Sequence, residues 1–142
     1  MDSNILPAAD VSSSALNVER ARLDVIASNI ANAQTTNDVN GGPYRRKHIL
    51  FESVLMDAKD GIKSGKEIGV RVAGVVEDKS PLTTIYNPSH PHADEKGMVA
   101  MPNVNIIEEM VDLMTATRAY EANTKVVQGS KKMVESAMRI GQ

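Results

Sequence analysis

The chain has 142 residues, a formal net charge of −2 and no cysteine. The length suits one domain, or a helical part carrying a small insert. The charge supplies no sequence-wide basic field for nucleic acid or an anionic membrane, and the missing cysteine removes thiolate zinc sites, disulfides and thiol catalysis. With three Tyr, one Phe and no Trp, the core falls to Ala, Val, Leu, Ile and eight Met, a composition better suited to helix packing than to a large sheet sandwich.

Breakers divide the chain into three zones. Seven of nine Gly and five of six Pro lie between positions 34 and 105, so the flanks, 1–33 and 105–142, read as helical and 34–104 as an insert. The first residues, Met1 to Pro7, carry neither a basic start nor an apolar run. They are not expected to form a cleavable secretory signal, and no stretch approaches the ~20 apolar residues of a bilayer span.

The first helix is expected over Val11 to Ala33, with Asp10, Ser12 or Ser13 as its cap. Leu16, Leu23, Ile26, Ala27, Ile30 and Ala33 form one apolar stripe. A second runs through Val18 and Val25 and turns polar at Asn29 and Asn32. Two readings of these asparagines stay open: a solvated helix end, or a buried register-setter between subunits. The Thr-, Asn- and Gly-rich stretch Gln34 to Pro43 ends the helix.

The insert mixes short strands and turns. Tyr44 to Phe51 reads as a strand, and Ile68, Val70 and Val72 alternate with the period of a half-buried one. Val75-Val76 and Leu82 to Tyr86 are further strand candidates, and Phe51 to Ala58 suits either a strand or a short helix. Tyr44-Arg45-Arg46-Lys47-His48 is a basic cluster. It reads either as a strand edge guarded by charge or as a patch, Arg45, Arg46 and Lys47, that meets acidic faces of neighbouring subunits.

The last helix is expected over Ile106 to Arg139, with Asn105 as N-cap and Glu108 completing a capping-box pattern. Met110, Leu113, Thr117, Tyr120, Thr124, Val127, Val134 and Met138 recur at helical spacing, and Ile107, Val111 and Met114 widen the face early on. Acids lead and bases follow, which complements the helix dipole.

The fold class that follows is mainly α with a small β insert. A long antiparallel, coiled-coil-like pair of terminal helices is joined by a β-rich, partly irregular segment, and the simplest arrangement puts that segment at one end. The stretch from Lys131 to Gln142 then overhangs unless residues 1–10 fold onto it. Such a hairpin has no third layer over its outer apolar positions. Burying an exposed Leu or Met yields ~1.5–3 kcal/mol, so these faces are expected to be completed by other subunits, with an open rotation giving a helical tube. The residues expected at that interface are Leu16, Leu23, Ile26, Asn29, Ile30, Asn32, Met110, Leu113, Met114, Thr117, Tyr120, Val127, Val134 and Met138.

Chemistry is not indicated. His90, His92, Asp94 and Glu95 resemble a metal cluster only superficially, because Pro91 separates the histidines and no helical i, i+4 pair exists. There is no phosphate loop, nucleophile elbow or HExxH. No catalytic residue, cofactor, metal, nucleic acid or small-molecule substrate is expected.

The terminal zones resemble the axial proteins of the bacterial flagellum. Ser14-Ala15-Leu16 and the run Arg22 to Ala33, followed by Thr35-Thr36, are similar to their shared N-terminal motif; Val104 to Leu113, with Arg118 to Asn123, is similar to the C-terminal one. Pro43 to Lys47 with Phe51, and the approach Tyr86-Asn87-Pro88, His90-Pro91, Ala93-Asp94, Gly97 and Pro102 to Asn105, resemble the C-type proximal rod family. The last helix is also similar to that of distal rod proteins. The resemblance implies a subunit exported through the flagellar type III machinery without a cleavable signal. It would pack with copies of itself and other rod proteins in the periplasm, as part of a rigid, torque-transmitting shaft. A non-polymerising helical adaptor of an export apparatus is the alternative.

Overall fold

The computed structural model describes residues 7–38, 41–56 and 67–140. The segment Met1 to Leu6, the Ala58 end of the strand-or-helix stretch and the final residues of the overhang, Gly141 and Gln142, lie outside the described residues. Among these described residues two helices, α1 (Pro7–Ala31) and α2 (Ile106–Ile140), flank four strands, β1 (Lys47–Met56), β2 (Glu67–Glu77), β3 (Thr83–Tyr86) and β4 (Met98–Met101). The strands form two separate antiparallel pairs, β1 with β2 and β3 with β4.

α1 starts four residues earlier than expected, at a proline, the one residue that tolerates the first helical turn without an amide proton. α2 begins where Asn105 places it. Asn105 Oδ1 accepts the Ile107 N–H at 3.1 Å, and Asn105 Nδ2 donates to Glu108 Oε1 at 3.0 Å. The cap is therefore a side-chain pair that satisfies one orphan amide rather than the reciprocal box.

The helices run antiparallel, since Asn29 meets Glu109 and Arg22 meets Asp112. On α2 the buried residues are Glu109, Ala116 and Ser130. Two of the three are small, and the larger ones named above are half-buried or exposed. Met110, Met114, Thr117, Tyr120 and Met138 are exposed, while Leu113, Val127 and Val134 are half-buried.

The expectation that the insert caps one end of the helix pair, leaving no third layer, is corrected by the β1–β2 pair. It folds back along α1, which packs against α2 on one side and against β2 and β1 on another. The Ser14 hydroxyl, near the start of α1, accepts the Val70 N–H at 3.2 Å, while Asn29, near its end, holds Lys47. The stripes of α1 are consequently covered except at Ala27, which is exposed: Val18, Ile26 and Ala33 are buried, and Leu16, Leu23, Val25 and Ile30 are half-buried. The reversal that permits this sits at Gly41 and Gly42, whose φ of 81° and 88° a side chain disfavours.

Val75-Val76 is not a separate strand but the continuation of β2. Lys47 pairs with Glu77 through to Met56 with Glu67, and a register shift at Leu50/Phe51 leaves Ala73 as the extra residue. β4 has no counterpart in the expected elements; it pairs Met101 with Thr83 and Met98 with Tyr86. Its turn is set by Asp94, whose Oδ1 accepts the Lys96 and Met98 amides.

Candidate functional site

Two features stand out in this frame: a polar junction inside the subunit and an open apolar face outside it. The junction forms where α1, the start of β1 and the first turn of α2 converge. Asn29, 1% exposed, fills every hydrogen-bonding position it has. Its Nδ2 donates to the Lys47 carbonyl at 2.9 Å and to Glu109 Oε2 at 3.0 Å. Its Oδ1 accepts the Lys47 N–H and the Tyr44 hydroxyl, both at 2.9 Å. A helix side chain thus imitates a strand neighbour for Lys47, which fixes where β1 begins.

Glu109, also 1% exposed, is the charged centre. Its other oxygen accepts Arg46 Nε, and Arg46 Nη2 reaches Asp112 Oδ2 at 3.4 Å. Asp112 is shared with Arg22 of α1 at 3.7 Å. A buried carboxylate without such partners carries a desolvation cost of several kcal/mol; here two donors meet it. Next to this network, the Arg46 N–H donates to Asn103 Oδ1 at 2.8 Å, and Asn103 Nδ2 reaches the Asp78 carbonyl at 3.3 Å. The base of the hairpin and the approach to α2 are knitted together there. Asp78 closes the following turn by accepting the Ser80 hydroxyl and amide on Oδ1, with His48 on Oδ2 at 3.4 Å. These bonds, the Ser80 hydroxyl first, lower its pKa from 3.8 to about 2.

The structure accordingly separates the expected site residues. Ile26 and Asn29 are inside the subunit, and Leu16, Leu23, Ile30 and Asn32 are half-covered by it. Of the basic cluster, Arg46 turns inward to Glu109, Arg45 donates to the Asp78 and Ser80 carbonyls, and Lys47 lies 5.3 Å over the Tyr44 ring. His92 bonds Thr36 through Nδ1 at 2.9 Å and meets His90 edge-on. Among the described residues no group of three His, Asp or Glu is placed to hold a metal, and no described helix is long and apolar enough to cross a membrane.

The open face belongs to α2. Ile107, Met110, Val111 and Met114 are at least half exposed, as are Met133, Met138 and Ile140 toward the far end. The Arg46–Glu109 pair escaped the sequence reading because its members are 63 residues apart and no periodicity links them. Met110 and Met114, expected at a contact with other subunits, are exposed on the subunit surface.

Both helical ends match known families. Residues 10–37 match the family described as flagella basal body rod protein, and residues 95–140 match the flagellar basal body rod FlgEFG protein C-terminal family. The two ends together define a rod-type protein of the flagellar basal body. The chain is 45% identical to the flagellar basal-body rod protein FlgC of Borreliella burgdorferi, covering 94% of this chain and 95% of that protein. It is 41% identical to FlgC of Salmonella typhimurium and 40% identical to FlgC of Bacillus subtilis, each over 94% of this chain and 95% of the relative. The chain belongs to the FlgC family of flagellar basal-body rod proteins. Its family is structural, and the chain is not an enzyme.

Proposed function

We propose that this chain is a structural subunit of the proximal rod that assembles through its terminal helices, with copies of itself and other rod proteins, into a rigid axial tube that transmits torque. The observation that carries this reading is the outer face of α2. Four large apolar residues, Ile107, Met110, Val111 and Met114, stand in the open there, with no described residue over them. Exposed contiguous patches of this kind mark interaction surfaces, and each side chain buried contributes roughly 1.5–3 kcal/mol.

The buried positions 109, 116 and 130 of α2 repeat in sevens, which supports a coiled-coil-like seam between the terminal segments 1–33 and 105–142. The insert 34–104 is the part that distinguishes this subunit from its neighbours. Packed interiors resist deformation, so such a seam suits a shaft. Residence in the periplasmic part of the basal body and export through the flagellar type III machinery without a cleavable signal belong to the same proposal. An adaptor that never polymerises would cover the α2 face internally, and the open face favours the rod subunit.

Sedimentation velocity on the full-length chain tests this, paired with complementation of a strain lacking its FlgC. Association that rises with concentration, together with restored motility, is expected. A chain that remains monomeric at every accessible concentration and leaves the strain non-motile would overturn the proposal.

A further inference from the structure

The sulfur of this chain is distributed unevenly. With no cysteine, its eight methionines carry all of the oxidisable sulfur. Among the methionines whose side chains are described, Met98 and Met101 of β4 are half-buried, whereas Met110, Met114, Met133 and Met138 are exposed, and all four belong to α2. None of the six lies in the buried core of Val18, Ile26, Ala33, Tyr44, Val99 and Ala116. Oxidation, which follows exposure, therefore falls on one helix and spares the interior that holds the fold.

Two of the four stand together. Met110 and Met114 are 54% and 56% exposed, and their i, i+4 spacing sets the two side chains side by side. They lie about 100° and 140° around the helix from Glu109, which faces α1. With Ile107 and Val111 they make up the open patch of the first turns. Met133 and Met138 point about 140° apart from each other and form no such pair. A thioether is apolar, whereas its sulfoxide is polar and chiral on the same stem. Paired sulfoxides turn the middle of this patch polar, and burying them without hydrogen-bond partners costs free energy instead of releasing it.

We propose that Met110 and Met114 form an oxidation site that governs whether the free subunit can associate. The inference deepens the assembly reading above and rests on it. A peroxide delivers one oxygen atom to each Sδ: the O–O bond breaks, an S–O bond forms, the sulfur gives up two electrons and the second oxygen leaves as water. The subunit stays folded, because none of its described core residues is a methionine. Methionine sulfoxide reductases, one for each sulfoxide epimer, reverse the step. The oxygen departs as water while a dithiol closes to a disulfide. A free subunit is thus withheld from assembly by oxidation and returned to it by reduction.

The test treats the full-length chain with hydrogen peroxide, maps the sulfoxides by peptide mass spectrometry and follows association by sedimentation velocity. Met110 and Met114 are expected to be converted before Met98 and Met101, with circular dichroism and melting temperature unchanged. Association is expected to weaken about tenfold or more and to recover after treatment with both reductases and a dithiol. Met110→Leu/Met114→Leu, measured against its own untreated level, is expected to lose nothing on oxidation. Met133→Leu/Met138→Leu is expected to lose as much as the unmodified chain. Undiminished association of a chain fully oxidised at both positions would overturn the proposal and leave the assembly reading standing. An equal loss in Met110→Leu/Met114→Leu, or unfolding in step with oxidation, would do the same. If that variant does not associate even untreated, the reductases decide, and failure of the oxidised parent chain to recover overturns the proposal. Absence of association in the untreated, unmodified chain would overturn both.

Discussion

Asn29 shows how much one side chain can decide. Its amide must donate toward the Lys47 carbonyl and Glu109 and accept from the Lys47 N–H and Tyr44. Asn29→Asp keeps the shape but turns a donor into an acceptor against a buried carboxylate. A cost of about 3–5 kcal/mol is expected in urea unfolding, the range for an uncompensated buried charge. Adding Glu109→Gln, whose amide can donate to the new carboxylate, is expected to recover part of that cost. Additive losses in the double variant would show that the two residues do not communicate. Asp78 makes a second, milder point. Its folded pKa lies below its ordinary one, so its contribution to stability is present above pH ~4 and disappears as the pH falls toward 2. Ser80→Ala removes the first cause of the shift. The carboxyl carbon of Asp78, followed by NMR, should then titrate closer to 3.8.

At the level of elements, the helices were legible because Gly and Pro are segregated between them, and α2 was legible to the residue at its start because Asn105 sits directly before an apolar run. The facing of α2 was not. Periodicity reports that Met110, Leu113, Thr117 and Tyr120 share a side, but the buried residues of α2 include Ala116 and Ser130, whose small side chains carry little weight in an apolar count. The back-folding of β1–β2 was illegible for another reason: it depends on contacts such as Ser14 with Val70, 56 residues apart.

Two glycines test the element-level account from opposite sides. Gly129 lies within α2 with nothing within 4 Å of an added Cβ, so Gly129→Ala is expected to stabilise by about 0.5–1 kcal/mol. Gly97, at the β3–β4 turn, has φ of 74° and would set a Cβ 2.9 Å from the Tyr86 ring. Gly97→Ala is expected to cost about 1–2 kcal/mol, the penalty of left-handed backbone for a residue with a side chain. Thermal melts of the two variants should move in opposite directions.

Taken whole, the molecule is lopsided. One terminal helix is enclosed between a partner helix and a strand pair, while the other shows an entire side to its surroundings. α2 also exceeds α1 by ten residues, about 15 Å of helix, and Ile140 near its tip is 87% exposed. Random mutagenesis followed by selection for non-swimming cells would sort lesions by address. Hits in α1 should yield little protein on an immunoblot, because proteases clear what cannot fold. Hits on the outer side of α2 should leave normal amounts of a well-formed but idle product. Second-site revertants of that second group should cluster on whatever molecule sits against it.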